Sequence, residues 1–174
     1  MLTSSNVRVG VSGELSFGPT TSTAPASAAA ALTGFAGLGY FSEDGVAEDP
    51  DVSRETIPAW QNGTVVREVV TGAKLTYEFT MIETNADNVE LYYGTTVTQT
   101  ATEGTYTFNA ANTAGRKSFV LDIIDGGNLK RTYVEEGEVF KGDGVTYAGG
   151  EAVAYPCELV AYTDPIVMDT ALKS

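Results

Sequence analysis

Apolar side chains recur at every second position in several stretches of this chain. Near the N-terminus they occupy odd positions: Val7, Val9, Val11, Leu15 and Phe17. Successive side chains of a β-strand point to opposite faces, so this period of two predicts a half-buried strand. Gly13 would allow a kink within it, and Gly18 with Pro19 ends it.

The central stretch, residues 38–84, alternates strand-like segments with turns. Asn62 and Gly63 form the dipeptide that tolerates positive φ at both central positions of a two-residue turn. They predict a hairpin between residues 54–60 and 64–71, with a break at Gly72. Beyond the break, polar Thr76, Glu78 and Thr80 separate four apolar positions, which predicts a strand with one buried face. These apolar positions are Leu75, Tyr77, Phe79 and Met81.

One short helix is predicted directly after this stretch. Thr84 and Asn85 supply a helix start, and Asp87 places a carboxylate beside the free amides of the first turn. Gly94 stands where a C-terminal glycine belongs. The apolar residues of the segment would share one face: Ala86, Val89, Tyr92 and Tyr93.

The second half of the chain returns to strands. Short strands are predicted at 95–101 and 106–108, and a stronger one at 117–124. The turn Asp-Gly-Gly-Asn at 125–128 leads into a strand at 129–134 and so forms a hairpin.

A last strand is predicted beyond a turn at 141–144. Its inward positions would be Val153, Tyr155, Cys157, Leu159 and Ala161. Pro156 cannot donate a backbone hydrogen bond, so we expect it at a sheet edge or at a bulge.

Two segments lack periodicity. Residues 18–36 contain a Thr-, Ser-, Ala- and Pro-rich run at 20–33 that forms either a short helix from Pro25 or a surface loop or arm. Residues 164–174 form a tail with few anchors. The elements together predict one domain over residues 1–174, an antiparallel β-sandwich or barrel with one short flanking helix.

The charge balance excludes one broad class of function. Ten basic residues face 23 acidic ones, which gives a formal net charge of -13. Binding to nucleic acid through its phosphates needs a basic surface, so this function is disfavoured. The start of the chain lacks the pattern of a signal peptide, and no apolar run is long enough for a membrane span, so we expect a protein of the cytoplasm.

The residue inventory also argues against catalysis. The chain has no histidine and a single cysteine, Cys157, so Ser-His and Cys-His pairs and a cysteine-based zinc cluster are excluded. Asp49, Asp51 and Ser53 imitate the start of a calcium loop, but Arg54 occupies the place of its required glycine. We therefore predict no catalytic residue, no metal ligand and no cofactor.

Several stretches of the chain match one known family in order and spacing. They are GELSFGP at 13–19, LTGF at 32–35 with LGYFSEDGV at 38–46, IPAWQNG at 57–63 with VVR at 65–67, and LTYEFT at 75–80 with IETN at 82–85. The chain resembles the major tail tube protein of long-tailed bacteriophages, in particular those of actinobacteria. The resemblance covers roughly residues 9–94, and beyond them it is one of pattern only.

This resemblance implies a structural virion protein that assembles into stacked hexameric rings. The channel would house the tape measure protein and later conduct the genome DNA without binding it specifically. Further partners would be the tail terminator and tail tip proteins, with assembly in the host cytoplasm and no membrane contact. Six copies would carry a formal charge of -78, six times -13, which would repel DNA phosphates.

Alternation then suggests roles for individual residues under this resemblance. The residues predicted to face the channel are Glu68, Thr76, Glu78 and Thr80. The acidic stretch 43–55 is expected to be a ring-contact loop, with Glu43, Asp44, Glu48, Asp49, Asp51 and Arg54 as its contact residues. Residues 20–33 and the tail from Asp164 are expected to be arms between rings that order only on assembly.

Two other classes of function remain open from the residues. One is a capsid decoration protein or an immunoglobulin-like binding module, which would bind a partner through its loops. The other is a carbohydrate-active or metal-dependent enzyme built on paired carboxylates.

Overall fold

The computed structural model of this chain is mainly β and describes residue 3 and residues 6–172. Within them, the elements are β1 (Ser12–Gly18), β2 (Ala36–Gly37), β3 (Phe41–Pro58), β4 (Val65–Met81), α1 (Ala86–Tyr93), β5 (Thr98–Gln99), β6 (Gly104–Thr105), β7 (Lys117–Asp125), β8 (Asn128–Lys141), β9 (Tyr155–Ala161) and β10 (Ile166–Asp169). The predicted mainly-β class with one short helix is confirmed. No helix in this part of the chain is long and apolar enough to cross a membrane.

Eight strands form one antiparallel sheet in the order β2-β1-β7-β8-β9-β4-β3, with β10 added to β8. The long strand β8 connects two parts of this sheet. Its first half pairs with β7 and β10, and its second half, 137–141, pairs with β9. The remaining strands, β5 and β6, form a small separate pair.

The sheet folds around a single hydrophobic core, as in a sandwich. Leu15 of β1 and Phe119 of β7 belong to the same buried cluster as Phe79 of β4 and Leu159 of β9. Residues with alternate numbers on these strands point outward, so the sheet has an inner face that lines the core and an outer face. The alternation in the sequence therefore predicted the inward positions of β1, β4, β7 and β9 correctly.

The first predicted strand is shorter than expected. β1 begins at Ser12, and Leu15 and Phe17 face the core as predicted, but Val7, Val9 and Val11 are 72, 61 and 71% exposed. Within the described residues no strand packs over this N-terminal segment, so its three alternating valines have no hydrophobic core to pack into.

The predicted helix is confirmed together with both of its ends. The side chain of Asn85 accepts a hydrogen bond from the amide of Asn88 at 2.9 Å, and Gly94 takes the left-handed conformation with φ 63°. Asn88 is also buried and donates from Nδ2 to the carbonyls of Leu38 and Glu83 at 2.9 and 3.0 Å. This contact fixes the helix to the chain that precedes β3, and the sequence pattern gave no sign of it.

The second half is confirmed in outline and corrected in detail. The β7–β8 hairpin exists, but β8 continues to Lys141. The predicted strand at 95–101 is reduced to β5, and the one predicted at 106–108 is wrong, because β6 lies at Gly104–Thr105, before that segment. Pro156 does not lie at a sheet edge, because β9 runs between β8 and β4. Pro156 is tolerated there because its nitrogen, which cannot donate a hydrogen bond, points toward the place where β8 has already ended. Its carbonyl, on the same side, accepts a hydrogen bond from the amide of Gly142, one residue beyond β8.

The C-terminal tail is better anchored than expected. Ile166–Asp169 forms β10 on β8, and Thr170 accepts a hydrogen bond from the amide of Leu129 at 2.9 Å. The prediction of a tail with few anchors is therefore wrong for 166–170, while residues 173–174 lie outside the described part.

Candidate functional site

The most prominent feature of the surface is a two-stranded ribbon, residues 51–74, that extends beyond the sheet. β4 pairs with β9 only from Leu75 to Met81, so farther out β3 and β4 have only each other as partners. The predicted hairpin is confirmed, but its tip is a loop of four residues, 60–63, and not a two-residue turn, because the amide of Ala59 donates to the carbonyl of Thr64. Within this loop Asn62 and Gly63 have φ of 62° and 63°. All ribbon residues except Ala59 and Val69 are exposed.

The ribbon exposes large apolar side chains that no other segment of the described part of the chain covers. Trp60 is 96% exposed, and five further residues are 43–69% exposed: Val52, Ile57, Val65, Val66 and Val70. An isolated two-stranded ribbon is marginally stable in water, and contiguous exposed apolar surface marks an interaction site. The ribbon is therefore a candidate contact surface.

A bulge in β4 divides the ribbon from the sheet. Ser53 pairs with Gly72, whereas the next residue, Arg54, pairs with Val70, so Thr71 is an extra residue on β4. The β4 residues from Val70 back to Arg67 are thereby turned to the opposite face, and a second shift in the pairing follows between Ile57 and Pro58. Glu68 pairs with Thr56 and lies on the face opposite to that of Glu78. The alternation argument that grouped Glu68 with Thr76, Glu78 and Thr80 is wrong on this point.

The outer side of β4, β9 and the end of β8 forms a bare, polar face, which we call the bare face. Thr76, Glu78 and Thr80 point away from the core, as expected. Of the three, Glu78 is exposed, Thr80 is half-buried and Thr76 is buried. Whether this face lines a channel stays a prediction.

Glu158 of β9 also belongs to the bare face, and the sequence reasoning missed it. It lies directly opposite Glu78, and Lys74 Nζ contacts its Oε1 at 2.7 Å. This hydrogen bond is the main cause of the raised pKa of Lys74. Alternation along β9 places Glu158 outward, but only the pairing of β9 with β4 brings the two glutamates together.

The acidic residues of 43–55 lie on a strand, so the prediction of a loop is wrong. Glu43 and Asp44 lie where the β3–β4 pairing is interrupted beside Gly45, which has φ 70°. Glu48, Asp49, Asp51 and Arg54 follow along β3 itself. Among the described residues, no three carboxylates or thiols are grouped so that they could hold a metal ion. A contact role for these residues stays a prediction.

A cleft of about 830 Å³ lies where the starts of β1 and β3 face each other without pairing. We call it the seam cleft. Glu48 and Lys130 come within 3.8 Å of each other in its lining. The hydroxyl of Ser42, also in the lining, is buried and has no hydrogen-bond partner.

Residues 19–35, which we call the strap, cover the outer face of β7 and β8. The guanidinium of Arg131 is bound to Asp122 through two hydrogen bonds of 2.7 and 2.6 Å. Its third nitrogen donates to the carbonyls of Ser27 and Ala30 in the strap, at 3.3 and 2.5 Å. Arg131 is only 5% exposed, and its pKa is raised mainly by the hydrogen bonds with Asp122.

The strap thus has fixed contacts within its own chain, whereas we expected an arm that orders only on assembly. It forms no helix from Pro25, and of the two alternatives the loop is correct. Phe35, at its end, packs edge-on against Tyr133 with ring centroids 6.4 Å apart.

The buried titratable groups of the inner face are structural. Burial raises the pKa of the Cys157 thiol to about 12, and burial with the nearby Glu48 carboxylate raises that of Tyr77 to about 12. Both groups therefore stay protonated and neutral at physiological pH. The thiolate, not the thiol, is the nucleophile, so Cys157 is not suited to catalysis.

Comparison with protein families gives a match over nearly the whole chain. The family model described as phage tail tube protein matches residues 2–170. No curated protein matches the chain.

Proposed function

This chain belongs to the phage tail tube protein family, and we propose that its copies assemble into stacked hexameric rings around a channel for the tape measure protein and then the genome DNA. At the coarser level, the protein is a structural component of the phage tail that assembles with itself and with other tail components into a tube. We place its assembly in the host cytoplasm and include the tail terminator and tail tip proteins among its partners. No enzymatic reaction is part of this function.

The observation that carries the proposal is the ribbon. It projects from the sheet with Trp60 at 96% exposure, and none of the residues that the structure describes covers it. A protein that remained a monomer would gain nothing from such a surface and would risk aggregation through it. In an assembly of identical copies, the same surface is buried against neighbours and contributes to their association.

The bare face supports the part of the proposal that concerns a channel for DNA. Glu78, which is exposed, and the half-buried Thr80 and Glu158 present carboxylates and a hydroxyl on the outer face of β4 and β9. A channel lined by carboxylates repels DNA phosphates, so DNA would pass without sticking. We therefore propose Glu78, Thr80 and Glu158 as lining residues, keep Thr76 on the same face, and remove Glu68 from the set because of the bulge.

Electron microscopy of the purified protein, dilute and then concentrated, tests the assembly. We expect rings or open-ended tubes with a central channel at high concentration. Trp60→Ser should shift their appearance to a higher concentration, because it removes apolar contact area. Uniform small particles at every concentration, with no effect of Trp60→Ser, would contradict the proposal and favour a decoration protein or binding module.

Cysteine labelling of assembled tubes tests the channel. A small maleimide should react with Glu78→Cys in tubes, whereas a maleimide on a carrier larger than the channel should not. Thr23→Cys, on the exposed side of the strap, is the matched control and should react with both reagents. Reaction of position 78 with the large carrier, or with neither reagent, would contradict the assignment.

A further inference from the structure

Asn62 and Gly63, at the tip of the ribbon, form a dipeptide that occurs once in the chain. The backbone amide that follows an asparagine can attack its side-chain amide and close a five-membered ring. Glycine hinders this attack least, because it has no Cβ atom. The other six asparagines precede residues that have one: Asn6, Asn85, Asn88, Asn109, Asn112 and Asn128. Asn62 is therefore the asparagine whose covalent surroundings favour ring closure most.

The structure leaves the two reacting groups of this dipeptide unrestrained. Both residues are exposed, and in the described part of the chain neither the side chain of Asn62 nor the amide of Gly63 takes part in a hydrogen bond. A Cβ atom added at Gly63 would meet nothing within 4 Å, so the space around the amide is open. Water and hydroxide therefore reach the amide directly from solvent.

The backbone at the tip can also rearrange at low cost. β3 ends at Pro58 and β4 begins at Val65, and the bond from the amide of Ala59 to the carbonyl of Thr64 closes the loop between them. Within the described ranges, Asn62 is the one residue other than glycine with a positive φ, which L-residues adopt at some cost. Loop tips with few contacts open with free energies at the low end of a protein's range.

Two other asparagine positions are restrained by hydrogen bonds that the tip lacks. Oδ1 of Asn85 accepts from the amide of Asn88 at 2.9 Å, where it caps the helix. Oδ1 of Asn109 accepts from the amide of Ala111 at 3.0 Å. Each of these side chains would lose a hydrogen bond before ring closure, whereas that of Asn62 would not.

We propose that Asn62 is a site of spontaneous deamidation, which converts it to a mixture of aspartate and isoaspartate. The amide nitrogen of Gly63 gives its proton to hydroxide and forms a bond to Cγ of Asn62, while the Cγ–Nδ2 bond breaks and ammonia leaves. Water then opens the resulting succinimide at either of its two carbonyls. The net reaction consumes one water and releases one ammonia, and no atom is oxidised or reduced.

The reaction changes both the charge and the geometry of the tip. Residues 57–66 contain no charged residue, and each converted chain gains a carboxyl group there that is ionised at neutral pH. In isoaspartate the backbone runs through the side-chain carbon, which adds a methylene group to the loop. A single chain suffices for the reaction, so it does not depend on the assembly proposed above.

Peptide mass spectrometry of the dilute protein, aged at neutral and at mildly alkaline pH, tests the site. Trypsin cuts after Arg54 and Arg67 and releases peptide 55–67, in which Asn62 is the only asparagine. Measured against an unaged sample, its converted fraction should grow several-fold faster at the higher pH, because hydroxide removes the amide proton. The products should include isoaspartate, since water attacks both carbonyls of the succinimide. Aspartate without isoaspartate would contradict this route.

A second peptide and one variant serve as controls. Peptide 118–130 contains Asn128 before Leu129 as its only asparagine and should convert at least tenfold more slowly. Gly63→Ala adds the Cβ atom that hinders the attack, into open space, and should slow the conversion of Asn62 several-fold. Equal rates in the two peptides, or in the variant and the natural chain, would overturn the inference.

A synthetic peptide with the sequence of residues 55–67 tests what the fold contributes. Because the structure leaves Asn62 unrestrained, the folded protein should convert at a rate within several-fold of that of the peptide. Conversion of the peptide while the protein stays unmodified would show that the folded tip keeps the two groups apart, and would overturn the inference. Tubes play no part in this measurement, so its outcome is separate from that of the microscopy.

Discussion

Two outer faces of the sheet, one on β4 and β9 and one on β7 and β8, arise from the same alternation of inward and outward side chains but have different surroundings. The bare face of β4 and β9 carries Glu78 and Glu158 and has no cover. The outer face of β7 and β8 carries Asp122 and Arg131 and is covered by the strap. On the bare face Glu78 and Glu158 lie opposite each other, and Glu158 is paired with Lys74. On the covered face Arg131 is paired with Asp122 and has a further guanidinium nitrogen that donates to the strap carbonyls.

This comparison shows how a low-complexity segment acquires a fixed position. The strap itself has few large apolar residues, so it cannot bury enough surface to fold alone. Its backbone carbonyls at Ser27 and Ala30 bind a guanidinium that is already held by Asp122. A buried, pre-positioned arginine therefore replaces a hydrophobic anchor.

The largest expected effect comes from removing the arginine of the covered face. Arg131→Met leaves the largely buried carboxylate of Asp122, whose side chain is 14% exposed, without its partner, and breaking a buried ion pair in this way costs up to about 3–5 kcal/mol of the free energy of unfolding. Urea denaturation would measure the loss. The control is Arg116→Met, whose partner Glu136 lies at 2.6 Å on the surface and which should cost less than about 1 kcal/mol. Equal losses of stability in the two variants would contradict the role of Arg131 as a buried anchor.

Replacing both charges should separate stability from the position of the strap. Arg131→Met with Asp122→Leu removes the unpaired carboxylate, so we expect most of the lost stability to return, to within about 1–2 kcal/mol of the natural chain. The strap carbonyls would still lack their donor. Limited proteolysis should therefore cut residues 19–35 faster in the double variant than in the natural chain, although its denaturation midpoint lies well above that of Arg131→Met. Unchanged protection of the strap would show that other contacts hold it.

The smallest expected effect lies on the bare face. Glu78→Thr removes a like charge directly opposite Glu158 and should stabilise the free chain by about 0.2–1 kcal/mol at low salt. The gain should shrink in about 1 M salt, where the Debye length is about 3 Å. Glu55→Thr, opposite Val69, is the control and should give no such salt-dependent gain. A loss of stability in Glu78→Thr would contradict repulsion across the pair.

Local patterns in the sequence predicted a large part of the fold. The alternation of Leu75 to Met81 and of Phe119 to Ile123 identified inward positions, because the period of two follows from strand geometry itself. Asn62 with Gly63, and Asn85 with Gly94, identified a turn and two helix ends, since their backbone conformations and capping bonds are local.

Contacts between distant segments decided the rest. One extra residue at Thr71 turns Glu68 to the other face; the neighbouring Gly72 indicates a break in the sequence, but only the pairing with β3 shows that one residue is added there. Glu158 lies opposite Glu78 only because β9 pairs with β4, and the two glutamates are 80 residues apart in the sequence. Arg131 reaches the strap across more than 100 positions. The sequence by itself thus determined which side chains turn inward, whereas the tertiary structure decided which outer faces are covered, because cover depends on the pairing of segments that are remote in the chain.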